Sequence, residues 1–326
     1  MIVHGLALCA GIGGLELGVA RAIGGCYRCV GYVERDAYAA STLVARMADA
    51  ALDRAPIFDD LESFPCELFR GRVDLVTAGF PCQPFSVAGA QRGLEDERWL
   101  WPLVFRIVRD VGARFVFLEN VPPIVAHGLG AILGDLASLG FDAEWSSLRA
   151  SDVGAPHRRE RLFVLAVADR DGAGLTRLGL GSVLDREREA SRGDVDGCSG
   201  EDMGNAHGAR LEGRRESERG CTDERPPWPP GPEDALGWER WRAAGGPEPA
   251  LCRSPSRLPN RMDGDLNAEA DREAALANRA DRLRCLGNAV VPAQAELAFR
   301  ELLERAMNQA TVELWAVGTR IEGTDV

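Results

Sequence analysis

From residue 4 to residue 168 the sequence alternates short apolar runs with amphipathic stretches, and this alternation limits the possible folds more than any other feature. HGLAL (4–8), VGYVE (30–34), VDLVTAG (73–79), RFVFLEN (114–120) and RLFVLAVA (161–168) read as buried strands. The segments near 14–23, 36–52, 99–110 and 123–139 have helical spacing. Strand and helix repeated in this way predict an α/β fold: a doubly wound, mostly parallel sheet with helices on both faces.

The texture changes after Ala168. Residues 169–281 are rich in Gly, Pro, Arg, Asp and Glu, with few sustained apolar periods. WPPGP (228–232) reads as a rigid turn or extended segment, and GPEDALGWERWRAA (231–244) as holding one short helix. The rest of this region has a composition compatible with disorder. Helical spacing returns in VVPAQAELAFRELLERAM, with Pro292 in the first turn. The expected organisation is therefore residues 1–168 plus 282–313 as one sheet domain, with 169–281 as a smaller polar insertion.

Composition narrows the setting. No stretch of about 18 apolar residues occurs, and the N-terminus lacks a basic region ahead of its apolar run, so a cytoplasmic protein without a membrane span or signal peptide is expected. Nine cysteines without a regular framework read as reduced thiols. Cys26 and Cys29 form a lone CxxC with no second pair, so no metal is expected. The net charge of −12 argues mildly against a simple polyanion binder. All 38 basic residues are arginine; between residues 149 and 284 there are 23 of them against 26 acids, so that region is charge-dense rather than basic.

In a doubly wound sheet, ligands sit outside the carboxyl ends of the strands. After the first strand comes CAGIGGLELG, where Gly11, Gly13 and Gly14 allow backbone to approach a ligand at a helix N-terminus. Glu16 stands where the dinucleotide pattern requires glycine, which disfavours a pyrophosphate and a nicotinamide oxidoreductase. Glu34 ends the second strand, where an acid can accept both hydroxyls of a ribose. A nucleoside cofactor without a pyrophosphate, such as S-adenosylmethionine, fits both observations. The third run leads into FPCQPFS, where Pro81 and Pro84 stiffen the loop around the Cys82 thiol. Glu119 follows five largely apolar residues, a costly place for a carboxylate that neither pairs nor works. APHRRERLF leads into the last strand; strand parity puts His157, Arg159 and Arg161 on one face, suited to a phosphate or a base carbonyl. Each feature alone has a plain structural reading, as a tight turn, a solvated acid, a buried thiol or an ion-pair ladder. Their common place around the strands of one sheet favours a site.

The order of these elements resembles the DNA cytosine-5 methyltransferases: glycine-rich loop, strand-end Glu, PCQ, ENV, RxR, an insertion, then GN before a helix. The match covers about residues 4–168 and 282–303, and FPCQPFS and LENV are its specific parts. The resemblance implies that Gly11, Ile12, Gly13, Gly14, Glu34, Asp60, Pro81 and Asn288 surround S-adenosylmethionine, with Glu34 on the ribose and Asp60 at the adenine amino group. It implies Cys82 as the nucleophile at C6 of cytosine, Glu119 at the N3 and N4 edge, and Arg159 and Arg161 near the base. Phe80, Gln83, Ser86, Asn120 and Val121 would bind the substrate. GLEDERWLW (93–101) falls where the catalytic loop continues. Three positions depart from the family pattern: Cys9 where phenylalanine is common against the adenine, His157 in place of glutamine, and Ala289 in place of serine. The implied partner is double-stranded DNA, bound by a monomer with the target base rotated out and residues 169–281 reading the flanking sequence. A cognate restriction endonuclease is a second implied partner. An RNA cytosine methyltransferase and a catalytically silent DNA-binding regulator remain alternatives.

Overall fold

The computed structural model describes residues 2–81, 99–168, 235–243 and 269–321. In chain order the elements are β1 (Val3–Leu8), α1 (Gly14–Ile23), β2 (Tyr27–Val33), α2 (Ala37–Ala48), β3 (Ile57–Phe58), β4 (Leu75–Ala78), α3 (Trp101–Val111), β5 (Phe115–Asn120), α4 (Ile124–His127), α5 (Leu129–Ser138), β6 (Phe141–Arg149), β7 (Glu160–Ala168), α6 (Ala235–Ala243), α7 (Glu269–Asn288) and α8 (Pro292–Ile321). Most of what was expected of residues 169–281 lies outside the described residues.

Seven strands form one sheet in the order β3-β2-β1-β4-β5-β7-β6. The first five pair in parallel. β7 runs antiparallel to both neighbours, Glu119 standing opposite Phe163 in the β5 pairing. The predicted doubly wound, mostly parallel sheet is therefore present, with β7 alone reversed. That reversal matters for the site, because the start of β7 lies at the edge where β1, β4 and β5 end.

Alternation along each central strand feeds two cores. Leu6, Leu8, Val76, Val116 and Leu118 pack against Trp101, Val104 and Ile107 of α3 on one face. Ala7, Phe115, Phe117 and Phe163 pack with Val19, Leu43 and Phe299, from α1, α2 and α8, on the other. Phe117 stacks on Phe163 at a centroid distance of 5.8 Å and meets Phe299 edge-on at 5.1 Å. The returning helix thus belongs to the core of the sheet domain. Burying each such side chain contributes about 1.5–3 kcal/mol, so these contacts tie distant parts of the chain together. At Gly18 a Cβ would stand 2.5 Å from the Cβ of Ala295, so glycine is what lets α1 and α8 approach so closely.

Several elements differ from expectation. The segment 123–139 is two helices broken at Gly128, whose backbone leaves helical geometry with φ −139°. β6 was not foreseen; it is an edge strand whose residues beyond Phe141 are largely exposed or half-buried, so no apolar run announces it. The two-residue β3 is too short to leave a pattern. The second strand begins at Tyr27, three residues before the run that signals it. α7 is charged and weakly amphipathic, and it runs across the position expected to end the insertion.

Candidate active site

The carboxyl edge of the sheet gathers the turn after β1, the end of β2, the α7–α8 junction, the ends of β4 and β5, and the turn leading into β7. β1 ends in a turn where Cys9, with φ 49°, Gly11, with φ 55°, and Gly13, with φ 79°, take left-handed backbone before α1 begins. A non-glycine residue in that region signals a backbone over-determined by its surroundings, which is common at functional sites. The Ala10 N–H donates to the Val33 carbonyl at 3.1 Å and the Gly11 N–H to Glu34 Oε2 at 2.7 Å, tying the turn to the end of β2. The Asp36 N–H donates to the other oxygen of Glu34 at 2.7 Å, and burial raises the Glu34 carboxyl above its ordinary pKa. The Arg46 guanidinium donates to the Ile12 carbonyl.

Opposite the glycine turn lies the junction between α7 and α8. Gly14 packs so closely there that a Cβ would meet the Val290 carbonyl oxygen at 2.3 Å. The pocket between them is walled by Cys9 to Ile12, Gly14 to Glu16, Gly79, and Asn288 to Val290. Asp36 caps α2, its Oδ1 accepting from the Tyr38 and Ala39 N–H groups at 3.0 and 2.9 Å. It also pairs with Arg284 of α7 at 2.6 Å, fastening that helix beside the pocket. Burial, helped by the negative charge of Glu34, pushes the Cys9 thiol up to about 12, so Cys9 is neutral and inert near neutrality.

The chemistry-bearing edge is built by β4, β5 and β7. Glu119 ends β5 with only 7% of its surface exposed. Its Oε1 pairs with Arg161 Nε at 2.9 Å, and its Oε2 lies 3.3 Å from where a Cβ on Gly79 would stand. Burial raises the Glu119 carboxyl, and the guanidinium groups of Arg161 and Arg159 oppose that without cancelling it. The expected shared strand face for the arginines is not what brings them together. Arg159 lies before β7 with φ 21°, and its Nη2 donates to the Ala289 carbonyl at 2.6 Å, whereas Arg161 lies within the strand. His157 is exposed.

Other expected site residues take different positions. The Asn120 amide donates from Nδ2 to the Phe80 carbonyl at 3.0 Å and accepts from the Val121 N–H at 2.9 Å, so it braces the chain leading to Pro81 rather than presenting a free edge. The Phe80 ring is buried between Trp99 and Trp101, at 5.8 and 5.9 Å. Asp60 follows β3 and accepts from Ser63 in a local turn. Val121 is half-buried and Pro81 exposed beyond β4. Cys82, Gln83 and Ser86 lie outside the described residues.

Glu16, which sequence reasoning took only as a break in the glycine pattern, and Thr77 and Gln294, which it did not single out, complete the edge. Glu16 is 2% exposed and accepts from Thr77 Oγ1 at 2.8 Å. Gln294 of α8 is fully buried and donates to the carbonyls of Leu148 and Arg159 at 2.7 and 3.0 Å. Among the described residues no cluster of His, Cys, Asp and Glu is arranged to hold a metal ion.

The family model described as C-5 cytosine-specific DNA methylase matches residues 3–178, just over half of the chain. The chain belongs to this family. Its relatives include the Type II methyltransferase M.CviJI of Paramecium bursaria Chlorella virus IL3A, 34% identical over 164 residues that make up 50% of this chain and 42% of that protein. The Type II methyltransferase M.NgoMIV of Neisseria gonorrhoeae is 34% identical over 166 residues, 50% of this chain and 51% of that one. The Type II methyltransferase M.HhaI of Haemophilus parahaemolyticus is 38% identical over a shorter 97 residues, 28% of this chain and 30% of the relative. The chain thus spans about half the length of the first two. Among solved structures, the Entamoeba histolytica methyltransferase EhMeth is similar over 52% of this chain and 53% of its own, at 18% identity and a TM-score of 0.44. The family match contains the glycine turn, Glu34, Glu119, Arg159 and Arg161, and ends before α7 and α8, which with their junction supply Asn288, Ala289 and Gln294.

Proposed function

We propose that the protein transfers a methyl group from S-adenosylmethionine to carbon 5 of cytosine in double-stranded DNA, with Cys82 as nucleophile and Glu119 as the proton-bearing group at ring N3. The observation that carries this reading is Glu119. It is a buried carboxyl with a raised pKa, placed by β5 beside two arginines at the edge where β4 ends one turn before Cys82.

The residues present fit the cofactor. Left-handed Gly11 and Gly13 bare the backbone, the N-terminus of α1 offers N–H groups to a carboxylate, and Glu34 keeps lone pairs for ribose hydroxyls beyond its two backbone bonds. Gly11 to Gly14, Glu34 and Asn288 would hold it, with Asp60 and Pro81 at the rim. When bound, the cofactor supplies an electrophilic methyl group.

The chain's own groups do the rest. Carbon 5 of cytosine is too weak a nucleophile unaided, and addition of the Cys82 thiolate to C6 turns the ring into an enamine whose C5 is nucleophilic. Charge moves toward N3 as sulfur adds, and Glu119, whose neutral form burial favours, would share a proton with N3. Arg161 fixes the orientation of Glu119, and Arg159, whose charge reaches Glu119, would meet a base carbonyl or flanking phosphate. Loss of the C5 proton to water then expels Cys82 as thiolate. C6 is reachable only on an extruded base, and extrusion costs a few kcal/mol.

The test is bisulfite sequencing of DNA from cells expressing the protein. Protected cytosines in a defined sequence context are expected, and Cys82→Ala should abolish protection while retaining cofactor binding. Unprotected DNA from cells holding the folded wild-type protein would overturn the proposal, and methylation of matched RNA instead would move the substrate class.

A further inference from the structure

Glu16 sits on the wall of the pocket, yet the reading above gives it nothing to do. Its Oε1 accepts from Thr77, while its Oε2 is buried without a hydrogen-bond partner among the described residues. A buried carboxyl left half-satisfied is costly and calls for an explanation. Among the described residues the pocket wall contains no arginine, and its ionisable groups are Glu16 and the neutral Cys9 thiol. A ligand with a sulfonium and an ammonium would therefore meet one side chain in this wall able to answer positive charge.

The surroundings favour exchange of a proton at that group. Tyr27, Cys29 and Tyr32 of β2 are buried close by and held neutral, their pKa values raised first by burial. Asp53, before β3, accepts from the Cys29 N–H. Glu34, past the end of β2, adds negative charge, and β4 contributes only Thr77. On α8, Glu296 and Arg300 pair with each other at 3.2 Å, and Arg300 also donates to the Arg21 carbonyl. Across the edge, Glu119 is paired with Arg161. Burial, opposed first by the residue's own backbone N–H and then by the Thr77 hydrogen bond, raises the Glu16 carboxyl to about 7.

We propose that Glu16 is a cofactor-contacting carboxyl that meets the positive charge of the bound nucleoside, sulfonium or ammonium, and releases its own proton to solvent as it does so. The inference rests on the reading that this pocket holds S-adenosylmethionine. The sign follows from linkage: the ligand-free carboxyl holds its proton below about pH 7 and the liganded one does not, so affinity rises with pH.

The experiment is calorimetric titration of the full chain with S-adenosylmethionine between pH 6 and 8.5, in buffers of different ionisation enthalpy. Affinity of the wild type should rise up to about tenfold per pH unit below 7 and level off above, with matching proton release. Glu16→Gln keeps an acceptor for Thr77, so it should fold with an undiminished melting temperature at pH 8. It should bind about tenfold more weakly there, with the pH dependence gone. S-adenosylhomocysteine, which lacks the sulfonium, keeps the slope if the ammonium is the partner and loses it if the sulfonium is. 5′-Methylthioadenosine, which has neither charge, should show no slope. A wild-type slope surviving in Glu16→Gln, or appearing with methylthioadenosine, would overturn the proposal. Wild-type protein that binds no S-adenosylmethionine at any pH would instead bring down the cofactor reading, and this inference with it.

Discussion

Glu119 carries the argument at the scale of single residues. In the proposed mechanism Glu119 must hold a proton for N3 while the Cys82 sulfur is ionised, so the two requirements oppose each other in pH. Because burial raises the Glu119 carboxyl, the protonated fraction falls as pH rises through that elevated pKa, while the thiolate fraction of Cys82 climbs toward a free-thiol pKa of about 8.5. A bell-shaped profile of kcat/KM for DNA is expected. Glu119→Gln should lower kcat by about 10²–10⁴-fold and erase the high-pH limb, with cofactor affinity unchanged. Single-turnover rates across pH would check this; a variant that keeps both the rate and the limb would remove Glu119 from the chemistry. Glu119 was legible in the sequence because a carboxylate after an apolar strand stands out. Glu16 was read only as a break in a glycine pattern, since the Thr77 that receives it lies 61 residues away and nothing local marks the pairing.

At the scale of elements, the site depends on how α8 holds the turn before β7. Gln294 ties the carbonyls of Leu148 and Arg159 to that helix, and Arg159 in turn reaches the Ala289 carbonyl at the start of α8. The bond to the Arg159 carbonyl restrains a backbone with φ 21°, which an arginine does not ordinarily hold alone. Gln294→Leu should lower stability by about 1–3 kcal/mol, since two carbonyls lose a buried donor. It should also lower kcat more than it raises KM for the cofactor, and Gln294→Glu, which keeps the shape but not the donors, should not rescue it. Urea unfolding beside steady-state kinetics separates these effects; lost stability with intact kcat would make Gln294 purely structural. No sequence pattern announces this residue, because a glutamine in a first helical turn reads as solvated. β6 escaped notice for the opposite reason: an exposed edge strand lacks the apolar run that betrays a central one. The arginines were found through strand parity, which does not describe them, because Arg161 lies in β7 whereas Arg159 sits in the turn before it.

At the scale of the whole molecule, the alternation of apolar runs was enough to foresee a doubly wound sheet, because each central strand fills two cores and must be apolar throughout. The reversal of β7 could not be read from its composition, yet it is what delivers the arginines to the edge where β5 presents Glu119. The acidic balance of −12 leaves any DNA contact to local groups rather than to a general positive field. Under the proposed function, these features would serve one chemical event, a transient bond between Cys82 and carbon 6 of an extruded cytosine. The measurement that reaches it most directly is covalent trapping on duplex DNA carrying 5-fluorocytosine at the methylated position found by bisulfite sequencing, with S-adenosylmethionine present. Fluorine cannot leave C5 as a proton does, so the expected result is a denaturant-stable protein–DNA adduct whose peptide maps to Cys82, absent from Cys82→Ala. Methylation of ordinary cytosine at that position without any such adduct, or an adduct on a different residue, would contradict the account.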